Sequence, residues 1–146
     1  FDNKVVNFNY GNRDLDETKS AVIVNQDPLF LNLFDEALLN FKNLLKKYNF
    51  IPVVTYIPGA YTAYNKFVNF HDGRLEDIMK NFSLIQRNYF FNKTKDLNLN
   101  FIDFTESFNN YSEINQEKNL LYFPINRHLT VFGHNLIADE IISKIF

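Results

Sequence analysis

Cysteine is absent from all 146 residues, which excludes disulfides, thiolate catalysis and cysteine-type zinc sites. The compartment stays undetermined, because a cysteine-free chain suits either redox setting. Tryptophan is also missing, glycine and proline number 4 each, and there are only 3 histidines, so each turn residue and each imidazole carries weight. No surplus of positive charge is present. With 15 Lys and Arg against 17 Asp and Glu, the net charge of -2 leaves no electrostatic footprint for nucleic acid or an anionic membrane. The one basic cluster, Lys42, Lys46 and Lys47, falls on a helical stretch beside apolar positions and reads as a solvated face. No apolar run approaches the roughly 20 residues that cross a bilayer, so no transmembrane segment is expected. A start at Phe1 instead of Met suggests a processed or excerpted segment.

What is present is a core. Hydrophobic residues make up 46% and aromatics 17%, chiefly 17 Phe and 8 Tyr, which a chain of single-domain size can bury. Aromatics in this quantity read first as packing and only second as a ligand platform.

Along the chain, Lys4-Val-Val-Asn-Phe-Asn-Tyr10 is rich in β-branched and aromatic residues and stops at Gly11-Asn12, the pattern of a strand entering a turn. Ala21-Val-Ile-Val24 reads as a second short strand or the edge of a loop. Asp27-Pro28 is a helix start, with an aspartate cap and a proline that has no N–H to lose. Apolar residues from Phe30 through Phe34, Ala37, Leu38, Phe41, Leu44 and Leu45 to Tyr48 recur at three and four, predicting one buried helix face. Phe50 to Ile57 is a continuous apolar run ended by Pro58-Gly59, as in a strand covered on both sides.

Residues 60 to 74 read as an aromatic loop, and Leu75 to about Phe91 restores a helical period. Polar turn residues from Asn92 to Asn98 lead to a strand at Leu99 to Phe104, then a polar loop to Asn119. Leu120 to Phe123 is a short extended piece, and a closing helix from Val131 to Ile145 buries Leu136, Ile137, Ile141 and Ile145. This order predicts an α/β fold, a three-layer sandwich with a mainly parallel sheet of flavodoxin-like kind, forming a single domain over residues 1–146. A domain short of its first strands would expose a sheet edge, so a homodimer through that edge is expected.

Ligands in parallel sheets gather at the carboxyl ends of strands, which directs attention to the loops at Gly11, Pro58, Thr105 and Pro124. Two histidines lie in the last of these. The segment Asn126-Arg-His128-Leu-Thr-Val-Phe-Gly133-His134 resembles the final block of the SGNH (GDSL-type) hydrolase family, which usually reads Asp-x-His-x-Asn/Thr-x-x-Gly-His. Val5-Val-Asn-Phe-Asn-Tyr-Gly11-Asn12-Arg-Asp14 is similar to the strand and Gly-x-Asn-Asp turn of the family's third block, with the spacing shifted. The resemblance spans nearly the whole chain, as the C-terminal two thirds of a family domain.

It implies an ester hydrolase, a lipase, esterase or carbohydrate acetylesterase acting on a small-molecule, carbohydrate or lipid ester without a cofactor or metal. His128 would be the general base, while the Asn12 amide would help hold the oxyanion and Gly11 would allow close backbone approach. Two departures stand out. No Gly-Asp-Ser block occurs, and none of Ser20, Ser83, Ser107, Ser112 and Ser143 has its setting. The position of the triad aspartate is Asn126, a change that costs roughly ten-thousandfold in the worked serine-protease case. Asp14, Asp103 and Glu106 are the carboxylates that could replace it. A weak or inactive esterase is therefore expected, with a catalytically silent binding or interaction module as the alternative. His71 with Asp72 lacks a third metal ligand at useful spacing. The sequons at Asn81, Asn92 and Asn110 follow from the abundance of asparagine.

Overall fold

The computed structural model describes residues 13–70, 72–115, 119–124 and 128–146, with side chains from Glu17 onwards. The expected strand at Lys4 to Tyr10, together with Gly11, Asn12, His71 and Asn126, lies outside the described residues. The chain forms two compact units that alternate along the sequence. Of the described residues, 13–17, 57–70, 104–115, 119–124 and 128–146 belong to one; residues 18–56 and 72–103 form the other.

The second unit is built around one parallel strand pair. Strand β1 (Val53–Tyr56) and strand β2 (Asn100–Asp103) align from Val53 opposite Asn100 to Tyr56 opposite Asp103. Parallel neighbours need a crossover, and helix α4 (Gly73–Leu97) lies in the chain between them. Asp72 caps α4 through the Arg74 N–H at 2.9 Å, which lowers the Asp72 pKa because that bond favours the carboxylate. Asn98 stops the helix in the left-handed region at φ 54°, where asparagine is better tolerated than most residues. The polar run from Asn92 thus continues a longer helix, with Asn92, Lys95 and Asp96 exposed and Thr94 buried, and only Asn98 makes the turn.

Helix α1 (Arg13–Gln26) replaces the short strand or loop expected at Ala21 to Val24. Ala21 and Val24 are buried, and their spacing of three puts them on one helix face, so packing overrides the β preference of Val-Ile-Val. Asn25 secures the result by donating to Ala21 O and to Ile78 O of α4. Next, Asp27 accepts from Leu29 N–H and opens a 3₁₀ segment, Pro28–Phe34, followed by α2 (Asp35–Leu44). The helix expected to reach Tyr48 therefore begins as 3₁₀ and ends early. Within it only Leu31 and Leu38 are deeply buried.

In the other unit, α3 (Ala60–Ala63) is a single turn, α5 (Thr105–Asn115) occupies the expected polar loop, and α6 (Val131–Ile145) is the expected closing helix. Thr105, Phe108 and Ser112 are buried on α5 at helical spacing. Ser112 can be buried because its hydroxyl donates to Ala63 O at 2.7 Å. The core comprises Phe104, Phe108, Leu121, Tyr122, Tyr64, Ala60 and Ala63. On α6, Leu136, Ile137, Ile141 and Ile145 are half-buried, not buried as expected.

These observations overturn the expected three-layer, mainly parallel, flavodoxin-like sandwich. Helices account for most of the described residues, and the only sheet among them has two strands. β1 is also not covered on both faces, since Val53 and Val54 are half-buried and Thr55 is exposed. Two stretches read as strand or loop became helices because their buried positions recur at three or four. Leu120 to Phe123 makes only an isolated antiparallel bridge, Tyr122 to Leu129. Among the described residues, no helix is long and apolar enough to cross a membrane.

Candidate functional site

His128 sits on the return arm of a small hairpin in the unit that carries α5 and α6. Phe123 N–H donates to His128 O, and Thr130 N–H donates to Leu121 O, both at 2.9 Å. These bonds flank the Tyr122 to Leu129 bridge and fix the backbone around the histidine. An isolated pair this short is marginal in water, so side chains must hold it.

Two buried tyrosines do so. The Tyr64 hydroxyl accepts from Leu121 N–H at 2.7 Å and from Tyr122 N–H at 3.3 Å, satisfying two donors on the outgoing arm. Burial pushes the Tyr64 phenol above its ordinary pKa and keeps it in the neutral form. The Tyr122 hydroxyl donates to Pro58 O, tying the hairpin to the turn before α3. Tyr64 and Tyr122 also meet edge to face, with ring centroids 6.3 Å apart, and Phe108 packs on Tyr122 at 6.0 Å.

The return arm runs straight into α6 through Thr130. Its hydroxyl donates to Leu120 O and accepts from the N–H groups of Phe132 and Gly133, at 3.2 and 3.4 Å. One side chain thus closes the hairpin and caps the helix. Gly133 is required by contact. A Cβ there would lie 2.6 Å from Leu121 O and 2.8 Å from Leu129 Cδ2, so any larger residue would push the helix off the hairpin. His134 is exposed, and its role in the fold is its N–H bond to Thr130 O in the first turn of α6.

His128 itself is exposed, with half-exposed Phe123 beside it in the hairpin and Val131 and Phe132 exposed just beyond Thr130. No family model, curated protein or solved structure matches this chain. The hydrolase resemblance rests on its quoted residues.

Of the residues expected to share a site with His128, Asn126, Asn12 and Gly11 lie outside the described residues. The serines do not lie on the hairpin. Ser83 is buried against Tyr56 Oη at 3.1 Å, Ser112 is engaged with Ala63 O, Ser143 is on exposed α6 surface bonded to Glu140 O, Ser20 is on α1 and Ser107 on α5. Among the possible substitute carboxylates, Asp103 accepts from Arg87 Nε at 2.5 Å, Glu106 is exposed in the first turn of α5, and the Asp14 side chain is not among those described. No group of three potential metal ligands occurs among the described residues.

The sequence reasoning missed Tyr64 and Thr130. Tyr64 fell in a stretch read as loop, and its partners are 57 and 58 residues away. Thr130 left a local signal, a hydroxyl residue immediately before the first helical position. Chemically, the arrangement presents a solvent-facing imidazole on a backbone fixed on both sides, which suits a general base or a nucleophile toward an activated acyl group.

Proposed function

We propose that this chain is the base-bearing part of an ester hydrolase of the SGNH type, weak or inactive when it acts alone. The supporting observation is the placement of His128: exposed, yet held by backbone bonds at Phe123 and Thr130 and by two buried tyrosines behind the hairpin. A base must hold its position while its ring reaches a substrate, and this setting meets both needs. In the proposed reaction, His128 takes a proton from the attacking hydroxyl as the new acyl–oxygen bond forms, then returns it to the leaving alkoxide. The serine that attacks in the family has no counterpart on the hairpin. The chain alone is therefore left with water as the nucleophile, and Asn126 offers an imidazolium no carboxylate.

Short p-nitrophenyl esters test this reading, because their good leaving group makes slow base catalysis measurable. We expect slow turnover that falls roughly tenfold in His128→Ala, below the full range of general-base effects because orientation by a carboxylate is missing. His134→Ala is the matched control for the reactivity of any exposed imidazole and should leave the rate unchanged. Equal rates for the two variants and the parent chain would remove His128 as base. The second reading, a silent binding module, is favoured by the buried and engaged hydroxyls of Ser83 and Ser112. It is the one to adopt if turnover is absent while the His128 ring resonances shift on addition of an ester-bearing lipid or sugar.

A further inference from the structure

The link from α2 to β1 has a composition unlike any other exposed stretch of its unit. Residues 46–51 read Lys-Lys-Tyr-Asn-Phe-Ile, and all are exposed, as is Leu44 one turn earlier. Tyr48 and Ile51 each leave about half of their surface in water, at 52% and 53%. Lys47 Nζ lies 5.0 Å from the centre of the Tyr48 ring, and Phe50 leans on Phe41 of α2 at 5.7 Å. Helix α4 ends at the same edge, because the Asn100 N–H and side-chain amide both bond Pro52 O at 3.2 and 3.0 Å. Lys46 and Lys47 are exposed here, half-buried Lys42 lies one turn back on α2, and exposed Lys95 stands in the last turn of α4 next to Asp96 in sequence.

We propose that this edge docks on an anionic lipid surface. Charge complementarity identifies the occupant. Exposed apolar side chains alone would fit any hydrophobic partner, as at Leu29, Phe30, Leu33 and Phe34 of the 3₁₀ segment, where no lysine is interleaved. At the α2–β1 link two exposed lysines directly precede the exposed Tyr48, Phe50 and Ile51. Leu44, Phe50 and Ile51 would enter the acyl boundary, Tyr48 would lie at headgroup depth, and the lysines would extend along the interface to anionic headgroups. The net charge of -2 opposes binding to such a surface, so attraction must come from this local patch. The inference is independent of the hydrolase reading, since the link belongs to the unit that does not contain His128.

Flotation of the whole chain with vesicles tests it. Phosphatidylcholine vesicles containing one-third phosphatidylserine should carry the chain at about 0.1 M salt and release it at about 1 M, where the Debye length shrinks to about 3 Å. Pure phosphatidylcholine vesicles should not carry it. The double variant Lys46→Glu, Lys47→Glu should weaken binding by about tenfold or more. Phe50→Ser with Ile51→Ser should weaken it independently of salt, and circular dichroism should show both variants folded. Should a variant lose its fold, Lys46→Gln with Lys47→Gln and quenching of Tyr48 emission by a headgroup-borne quencher replace it. No flotation with phosphatidylserine, or flotation that neither pair of substitutions changes, overturns the proposal. So does a self-association that the same substitutions abolish in the absence of lipid binding, or equal affinity for a polyglutamate chain with no dependence on Phe50 and Ile51.

Discussion

The two units solve different joining problems with the same residue types. In the unit that carries His128, buried side-chain hydroxyls bond to backbone: Tyr64 accepts from Leu121 and Tyr122, Tyr122 donates to Pro58, Ser112 to Ala63, and Thr130 to Leu120. In the unit that carries the strand pair, Asn25 and Asn100 also reach backbone carbonyls, but side chains bond to one another across elements as well. Tyr56 meets Ser83 and Gln86, Arg87 meets Asp103, and Asp35 takes both Tyr89 and Lys93. The reason lies in backbone accounting. Regular helices and strands satisfy most of their own N–H and C=O groups, so contacts between side chains carry more of the joining. A hairpin with one bridge and a one-turn helix leave backbone groups over, and neutral hydroxyls meet that demand. One consequence follows for each unit: the first depends on shape and burial, the second partly on ionisation.

The largest effect should come from the apolar contact behind the hairpin. Phe108 has no exposed surface and packs against Phe104 at 6.3 Å and Tyr122 at 6.0 Å. Phe108→Ala should cost about 3–5 kcal/mol, read as lost amide-exchange protection at Leu121, Tyr122 and Thr130. Protection that persists at those amides would mean that the hairpin does not depend on this core.

A smaller pair of substitutions sharpens the contrast directly. Tyr64→Phe removes the acceptor for two buried N–H groups and should cost about 1–3 kcal/mol. Tyr56→Phe in the other unit removes contacts to the Ser83 and Gln86 side chains, so about 1 kcal/mol is expected. Urea titrations of the two variants give the order. If Tyr56→Phe proves the more damaging, the distinction between backbone-directed and side-chain-directed hydroxyls is wrong.

Legibility in the sequence follows the same division. β1 is readable as a run of β-branched and aromatic residues and β2 through Phe101 and Ile102 between polar neighbours, and the start of α6 is readable because its apolar residues follow a clear break. α1 is not readable locally. Ala21-Val-Ile-Val24 carries a strand preference, and it is the joint burial of Ala21 and Val24 that decides for helix. α5 is hidden for another reason: two of its buried positions are Thr105 and Ser112, which look polar until Ser112 finds Ala63 O. With α1 read as a possible strand, α5 as loop and Leu120 to Phe123 as an extended piece, strands are overcounted, helices undercounted and a sandwich is inferred. Within the site, His128 stands out through scarcity, and Gly133 through its place in a family-like block. Tyr64 does not, because its function exists only once residues far away in sequence have come to it.

The smallest effect concerns ionisation in the strand-pair unit. The Lys93 ammonium and the Tyr89 hydroxyl both bond Asp35, at 2.7 and 2.5 Å, and hold its carboxyl below the ordinary aspartate pKa. The same contact, with burial acting first, raises the Tyr89 phenol. A carboxylate whose pKa is lower folded than unfolded contributes its full stability above the unfolded value and loses it as pH falls through the folded one. The window therefore lies below the usual carboxylate pKa of 3.8, and Asp72 at the start of α4 acts in the same direction. Residue-resolved urea titrations at pH 6 and pH 3 should show α2 and α4 losing stability in acid. Asp35→Asn should lower stability slightly at pH 6 and reduce the difference between the two pH values. High salt should do the same to the Lys93 contact, because both partners are partly exposed and screened. If Asp35→Asn leaves the acid loss unchanged, Asp72 becomes the group to test, since its cap depends on a backbone N–H that salt screens less than an ion pair.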